Sequence, residues 1–104
     1  MTVDELRATL ADEVPPEGLT PALNAMWQAA KGNWEAAHSI AQRIEDETGS
    51  WIHAHLHRQE GNLGNAGYWY RRASQPIAHD SLAAEWTRIV SRLLGAGPAG
   101  IDHE

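Results

Sequence analysis

Apolar residues recur along the chain at intervals of three and four, the spacing that places side chains on one face of an α-helix. The clearest apolar stripe lies in residues 80–94, near the carboxyl terminus. No stretch alternates apolar and polar residues with a period of two, so no β-strand is predicted. The pattern therefore predicts an all-α fold. The members of the clearest stripe are Leu82, Trp86, Ile89, Val90 and Leu93.

Residues typical of helix ends divide this pattern into about six short helices. Thr2 and Glu5 have the sequence of a capping box, and Thr20 precedes a proline at the first position of the second helix. Ser50 is predicted to cap the fourth helix and Asn65 the fifth. The predicted helices span approximately residues 3–14, 21–31, 34–48, 51–60, 66–73 and 80–94.

An imperfect internal repeat spans the second to fifth predicted helices. In both copies a Gly-Asn turn ends one helix, and an alanine five positions after the glycine lies on the packed face of the next. The corresponding residues are Gly32, Ala37, Ala41 and Ile44 in the first copy and Gly61, Ala66, Tyr70 and Ala73 in the second. Helical hairpins that recur at such a period are typical of repeat architectures.

At these residues, with Trp34 two positions after the first glycine, the chain resembles the tetratricopeptide class of helical repeats. Residues 65–73 also resemble the second helix of related short bacterial repeats. Residues 51–73 are similar to an uncharacterised bacterial family, which implies no activity. The tetratricopeptide resemblance covers about residues 22–76, although Leu63 replaces the second aromatic residue and the period is shorter than in a standard repeat. It implies antiparallel helical hairpins with a concave face that binds a protein or peptide partner.

The composition excludes several classes of site and partner. Eight basic and fourteen acidic residues give a net charge of −6, so we expect no nucleic-acid binding, which requires a basic surface. The absence of cysteine excludes disulfides, thiolate metal sites and a cysteine nucleophile. No apolar run approaches the roughly 18 residues of a membrane span, and the amino terminus is unlike a targeting segment. We expect a cytoplasmic protein with one helical domain over residues 1–94 and a flexible Gly/Pro-containing tail at 95–104.

The predicted fourth helix carries a strip of candidate metal ligands. His53 and His57 are four positions apart and Glu60 follows three positions later, so all three can project from one side of the helix. Two imidazoles and a carboxylate are suitable ligands for zinc or a similar divalent ion. A complete site needs another ligand, which His38 or His79 could supply if the fold brings it close. The alternative is a solvated polar helix face, and the HExxH motif of metalloproteases is absent.

Two further histidines have simpler expected roles. His55 falls on the apolar side of the fourth helix, so we expect a core histidine that bonds to a backbone carbonyl or a polar group. His38 follows Trp34 by four positions and is expected to stack on that indole.

Basic and aromatic side chains are concentrated near the fourth and fifth predicted helices of this acidic chain. The helix that Asn65 is predicted to cap offers free N–H groups that suit an anion. Arg58 or Arg72 could bind a carboxylate or phosphate in a bidentate manner. Tyr68, which the predicted core does not need, could line a pocket with Trp51. With His53 and His57 at its edge, these residues predict a groove for a partner segment or a small anion. The alternative is an Arg–Glu network that stiffens the loop.

Three functions remain open from the sequence. The first is a binding protein with neither enzymatic activity nor a cofactor, whose groove holds a protein, a peptide or a small anion. The second is a divalent-metal protein, which could be catalytic, built on His53, His57 and Glu60. The third is a structural module that forms a homodimer, because a stack of two hairpins has uncapped ends.

Overall fold

A computed structural model describes residues 1–95, and within that range the chain is helical without any β-strand. The predicted all-α class with about six helices is confirmed. The predicted tail lies, apart from Gly95, outside the described residues. The α-helices are α1 (Val3–Ala8), α2 (Pro21–Ala30), α3 (Trp34–Ala41), α4 (Glu47–Gln59), α5 (Leu63–Ala73) and α6 (Leu82–Leu94), and a short 3-10 helix (Thr9–Ala11) follows α1.

The first two helices begin where the sequence predicts. The Glu5 N–H donates to Thr2 Oγ1 at 3.1 Å while the Thr2 N–H donates to the Glu5 carboxylate at 2.8 Å, which completes the capping box. The Thr20 hydroxyl accepts a backbone N–H from the first turn of α2 at 3.2 Å. In both helices the cap hydroxyl bonds to a backbone N–H only three residues later, so the sequence alone indicates where the helix begins.

Helix α1 is shorter than predicted, because it ends at Ala8 and continues only as a 3-10 turn. The Thr9 hydroxyl donates to the Leu6 carbonyl at 2.6 Å and accepts the Trp27 Nε1–H at 3.0 Å. A side-chain hydroxyl that bonds to the preceding turn competes with the regular helical ladder. The same hydroxyl gives the buried Trp27 indole its hydrogen-bond partner.

The boundary between α3 and α4 differs from the prediction. Helix α3 ends at Ala41 rather than near residue 48, and Asp46 rather than Ser50 caps α4. The Asp46 carboxylate accepts the backbone N–H groups two and three positions later at 3.0 and 3.3 Å. Gly49 lies inside α4, where a Cβ would sit 1.9 Å from the Ile44 carbonyl oxygen. The glycine therefore permits a close approach of two backbones and does not end a helix.

Helix α5 begins at another cap than predicted, and α6 begins two residues later than predicted. Asn62 caps α5, and its side-chain oxygen accepts the Asn65 N–H at 3.2 Å, so Asn65 lies in the first turn and is not the cap. The Ser81 hydroxyl accepts the Ala84 N–H at 3.0 Å, so α6 begins at residue 82 rather than 80. In both helices a side chain three residues before the bonded N–H defines the start.

Helix α4 lies at the centre of the fold and contacts α2, α3, α5 and α6. Every residue from 49 to 57 is buried. The predicted solvated polar face of this helix is therefore wrong. Rings from α3 and α5 cover the side that carries His53 and His57, and α6 covers the side that carries His55.

Helix α6 closes the core against α2 and α4. The Trp86 indole N–H donates to the Met26 carbonyl at 2.7 Å, and Ile89 and Val90 are fully buried. Leu82 is 37% exposed, so the first member of the predicted stripe lies at the edge of the core. Between residues 1 and 95, no helix has the length and apolar character needed to cross a membrane.

Candidate metal centre

Three histidines from two helices converge beside the centre of the fold. His53 and His57 lie one turn apart on α4, with ring centroids 5.9 Å apart. His38 approaches them from α3, with its ring centroid 4.7 Å from that of His53 and 5.7 Å from that of His57. One nitrogen atom from each of the three rings lies within 4.8 Å of the others. The fold thus brings His38 to the pair that the sequence identified.

Glu60 contacts the cluster through His57. The His57 Nδ1–H donates to the Glu60 carboxylate at 2.7 Å. This bond orients the His57 ring and leaves Nε2 as the nitrogen that is not engaged by Glu60. Glu60 therefore orients His57. The sequence predicted Glu60 as a metal ligand, but it is not one of the three converging groups. His79 lies against another cavity, next to Trp51, and is not part of the cluster.

Two tryptophans enclose the histidine rings. Trp34 stacks on His38 with ring centroids 4.8 Å apart and an interplanar angle of 12°, as predicted, and meets His57 edge-on. Its indole N–H donates to the backbone carbonyl of residue 56 at 2.7 Å, which fixes the ring on α4. Trp69 from α5 stacks on His53 at 4.1 Å. Each imidazole of the cluster therefore has an indole ring against it.

Burial lowers the pKa of two imidazoles of the cluster, His53 and His38, and so favours their neutral form. Desolvation, aided by the neighbouring His38 and His57, lowers the pKa of His53 from 6.5 to about 4. Desolvation and the nearby His57 also lower the pKa of His38, against the opposing charge of Glu60. The Nδ1 atom of His53 is buried and has no hydrogen-bond partner among residues 1–95. Neutral rings with an unused nitrogen are in the protonation state that binds metal ions.

A cavity of about 360 Å³ adjoins the cluster. His38 and His53 form one part of its wall, and Arg72 and Trp69 form another. Its remaining lining residues are Gln42, Ile44, Glu45 and Ser50. A ligand in this space would therefore contact two of the three histidines and one arginine.

The residues predicted to form a partner groove are separated in the structure. Trp51 is buried beneath α6, with the Arg92 guanidinium 5.4 Å from its ring. Arg58 binds a buried carboxylate at 3.0 Å and so is not free to bind an external anion. Asn65 lies in the exposed first turn of α5.

Tyr68 and Arg72 do come together on the exposed side of α5. The Arg72 guanidinium donates to the Tyr68 hydroxyl at 3.2 Å and lies 5.8 Å from the centre of that ring. Tyr68 is 43% exposed. Of Trp51, Arg58, Asn65, Tyr68 and Arg72, the last two are in contact, and Arg72 also lines a cavity with His53, another residue of the predicted groove.

The sequence did not identify a second buried polar cluster, which lies on the opposite side of α4. Glu85 of α6 is fully buried and accepts the His55 Nδ1–H at 2.9 Å, an N–H of Arg58 at 3.0 Å and the Tyr70 hydroxyl. The partner of the core histidine His55 is therefore a carboxylate. The position of Glu85 on the apolar stripe of α6 is the feature of the sequence that points to this cluster.

Hydrogen bonding keeps this buried carboxylate ionised. Burial alone would raise the pKa of Glu85, but hydrogen bonds from His55 and Tyr70, the charge of His55 and the bond from Arg58 lower it below its usual value. Burial and the same carboxylate raise the pKa of Tyr70. The cluster joins α6 to α4 and α5 and has a structural role.

Comparison of the chain with protein-family models, with curated proteins and with solved structures finds no match. The resemblance to tetratricopeptide repeats therefore stays a prediction. The function is inferred below from the chemistry of the histidine cluster.

Proposed function

We propose that this protein binds a divalent transition-metal ion, with zinc as the expected ion, through His38, His53 and His57. The observation that carries the proposal is the convergence of three imidazole nitrogens within 4.8 Å. Imidazole is a preferred ligand of zinc, copper and nickel, and three protein ligands leave one coordination position open.

The spacing of the three imidazole nitrogens can be compared with that in a tetrahedral zinc site. Zinc–nitrogen distances of about 2.0–2.1 Å place the ligand nitrogens about 3.3 Å from one another. The observed upper limit of 4.8 Å thus requires the rings to close by about 1.5 Å or less. His38 is only half-buried and comes from a separate helix. A rotation of its side chain, with little movement of α4, can supply this adjustment.

The surroundings of the cluster also favour a cation. The Glu60 carboxylate behind His57 would offset part of the charge of a bound dication. An ion bound through Nδ1 of His53 would give this buried atom the partner that it lacks among residues 1–95. The adjoining cavity provides room for a fourth ligand such as water.

Equilibrium dialysis of the metal-free protein against zinc chloride, with metal quantified by mass spectrometry, tests the proposal. We expect one zinc ion per chain in the wild-type protein. His38→Gln should weaken the binding at least about tenfold, because it removes one of three ligands from the least buried position. His79→Gln is the matched control, since His79 is exposed and lies outside the cluster.

Two results would contradict the proposal. One is a wild-type protein that binds less than stoichiometric zinc. The other is a His38→Gln protein that binds zinc as tightly as the His79→Gln control. Circular dichroism of each variant establishes that the helical fold is retained, so a loss of zinc can be attributed to the missing ligand.

A further inference from the structure

The cavity beside the histidine cluster has a second cationic group in its wall. Arg72 lines it together with His38 and His53. Its guanidinium is exposed, and among residues 1–95 no carboxylate lies within 4 Å of it. An arginine without a carboxylate partner at the mouth of a cavity is free to bind an anion.

Aromatic contacts hold this arginine in place. The Arg72 guanidinium lies 5.4 Å from the Trp69 ring centre, and one N–H group donates to the Tyr68 hydroxyl at 3.2 Å. Trp69 in turn stacks on His53 at 4.1 Å. Arg72 thus lies against the same indole that stacks on His53 of the histidine cluster. The remaining N–H groups of Arg72 are available to bind an anion. Because the side chain is already held, it loses less conformational entropy on binding than an unrestrained arginine would.

The charge balance of the cavity favours an anionic ligand. A dication on the three imidazoles, together with Arg72, would outweigh Glu45, the one acidic residue among those that line the cavity. Gln42 and Ser50 add neutral hydrogen-bonding groups to the same wall. A volume of about 360 Å³ is of the size that holds a small molecule.

On the basis of the proposed metal site, we propose that this cavity binds a small oxyanion, the carboxylate or phosphate group of a small molecule, between the metal ion and Arg72. One oxygen of the anion takes the open coordination position of the metal. Another accepts hydrogen bonds from the guanidinium. Binding of the anion is therefore metal-dependent and Arg72-dependent.

Visible absorption spectroscopy of the cobalt-substituted protein tests this inference. Cobalt(II) reports its coordination through absorption bands that change when a ligand enters the open position. The protein is titrated with inorganic phosphate and, separately, with acetate, at constant ionic strength maintained with sodium chloride. We expect a saturable spectral change with at least one of the two anions, and the more effective one identifies the preferred group.

Two arginine variants show whether the cavity wall contributes. Arg72→Gln should weaken anion binding about tenfold to a hundredfold, the effect expected on loss of a hydrogen bond to a charged group, and should leave cobalt binding unchanged. Arg71→Gln is the matched control, because Arg71 is the exposed neighbour on α5 and does not line the cavity. It should bind both cobalt and the anion as the wild-type protein does.

The possible failures are distinguishable. A protein that binds no cobalt overturns the proposed metal site and this inference with it. Normal cobalt binding without a spectral response to either anion overturns the oxyanion inference alone. An Arg72→Gln protein that binds the anion as tightly as the Arg71→Gln control refutes the role of Arg72 and hence the proposed binding mode.

Discussion

The buried carboxylate of Glu85 provides a sharp test of how the core is held together. Glu85 accepts hydrogen bonds from His55, Arg58 and Tyr70, and it is fully buried. The substitution Glu85→Gln keeps the shape of the side chain but removes its charge and one of its two acceptor oxygens. It leaves the Arg58 guanidinium, whose side chain is only 13% exposed, without a counterion.

The expected cost follows from the charge left behind. Removal of one partner from a buried ion pair typically destabilises a protein by about 3–5 kcal/mol. Domains of this size have a total stability of roughly 5–15 kcal/mol, and each kcal/mol changes the melting temperature by about 4–8 °C. We therefore expect Glu85→Gln to lower the free energy of unfolding by about 3 kcal/mol or more and the melting temperature by at least about 12 °C.

Urea denaturation followed by circular dichroism measures this change. Glu35→Gln serves as the control, because Glu35 is an exposed glutamate on α3 without an ion-pair partner among residues 1–95, and we expect a change within about 0.5 kcal/mol. Adding Arg58→Met to Glu85→Gln should restore part of the lost stability, since it removes the unpaired charge. A Glu85→Gln protein within 1 kcal/mol of wild type would refute this account of the buried cluster.

Three further predictions concern the metal site and the core. Glu60→Gln should weaken zinc binding about 10- to 100-fold in a competition titration with a chelating dye, because His57 loses its orienting carboxylate; an unchanged affinity would contradict this. The free energy of unfolding of the metal-free protein should fall by about 1–3 kcal/mol as the pH falls from 6.5 to about 4, since only the unfolded chain protonates His53 in that range. Urea denaturation at a series of pH values measures this dependence, and His53→Gln should reduce it. Trp86→Ala should cost about 3–5 kcal/mol because the ring is 6% exposed and bonded to Met26; an unchanged melting temperature would disprove the packing.

The sequence predicted best those features that depend on neighbouring residues. The Thr2 and Thr20 caps were identifiable because each hydroxyl bonds to an N–H only three residues away. The predicted end of the third helix near residue 48 is wrong, because residues 47–49 belong to α4, where Gly49 packs against the Ile44 carbonyl across the intervening loop. The sequence of apolar and polar residues around Gly49 does not indicate this contact.

The same distinction applies to the candidate site. The spacing of His53 and His57 on one helix was sufficient to pair them. His38 could be named only as a candidate, because its contact depends on how α3 packs on α4. The burial of the pair was missed, since a strip of histidines and a glutamate has the polarity of an exposed face. Partner binding, self-association and the tetratricopeptide relationship stay predictions.

X-ray absorption spectroscopy of the zinc-loaded protein tests the central claim most directly, because it counts the ligands of the ion itself. We predict three imidazole nitrogens and one further light-atom ligand at about 2.0–2.1 Å, and the loss of one imidazole in the His38→Gln protein. A spectrum with fewer than three imidazoles in the wild-type protein, or one unchanged by His38→Gln, would contradict a metal centre built from His38, His53 and His57.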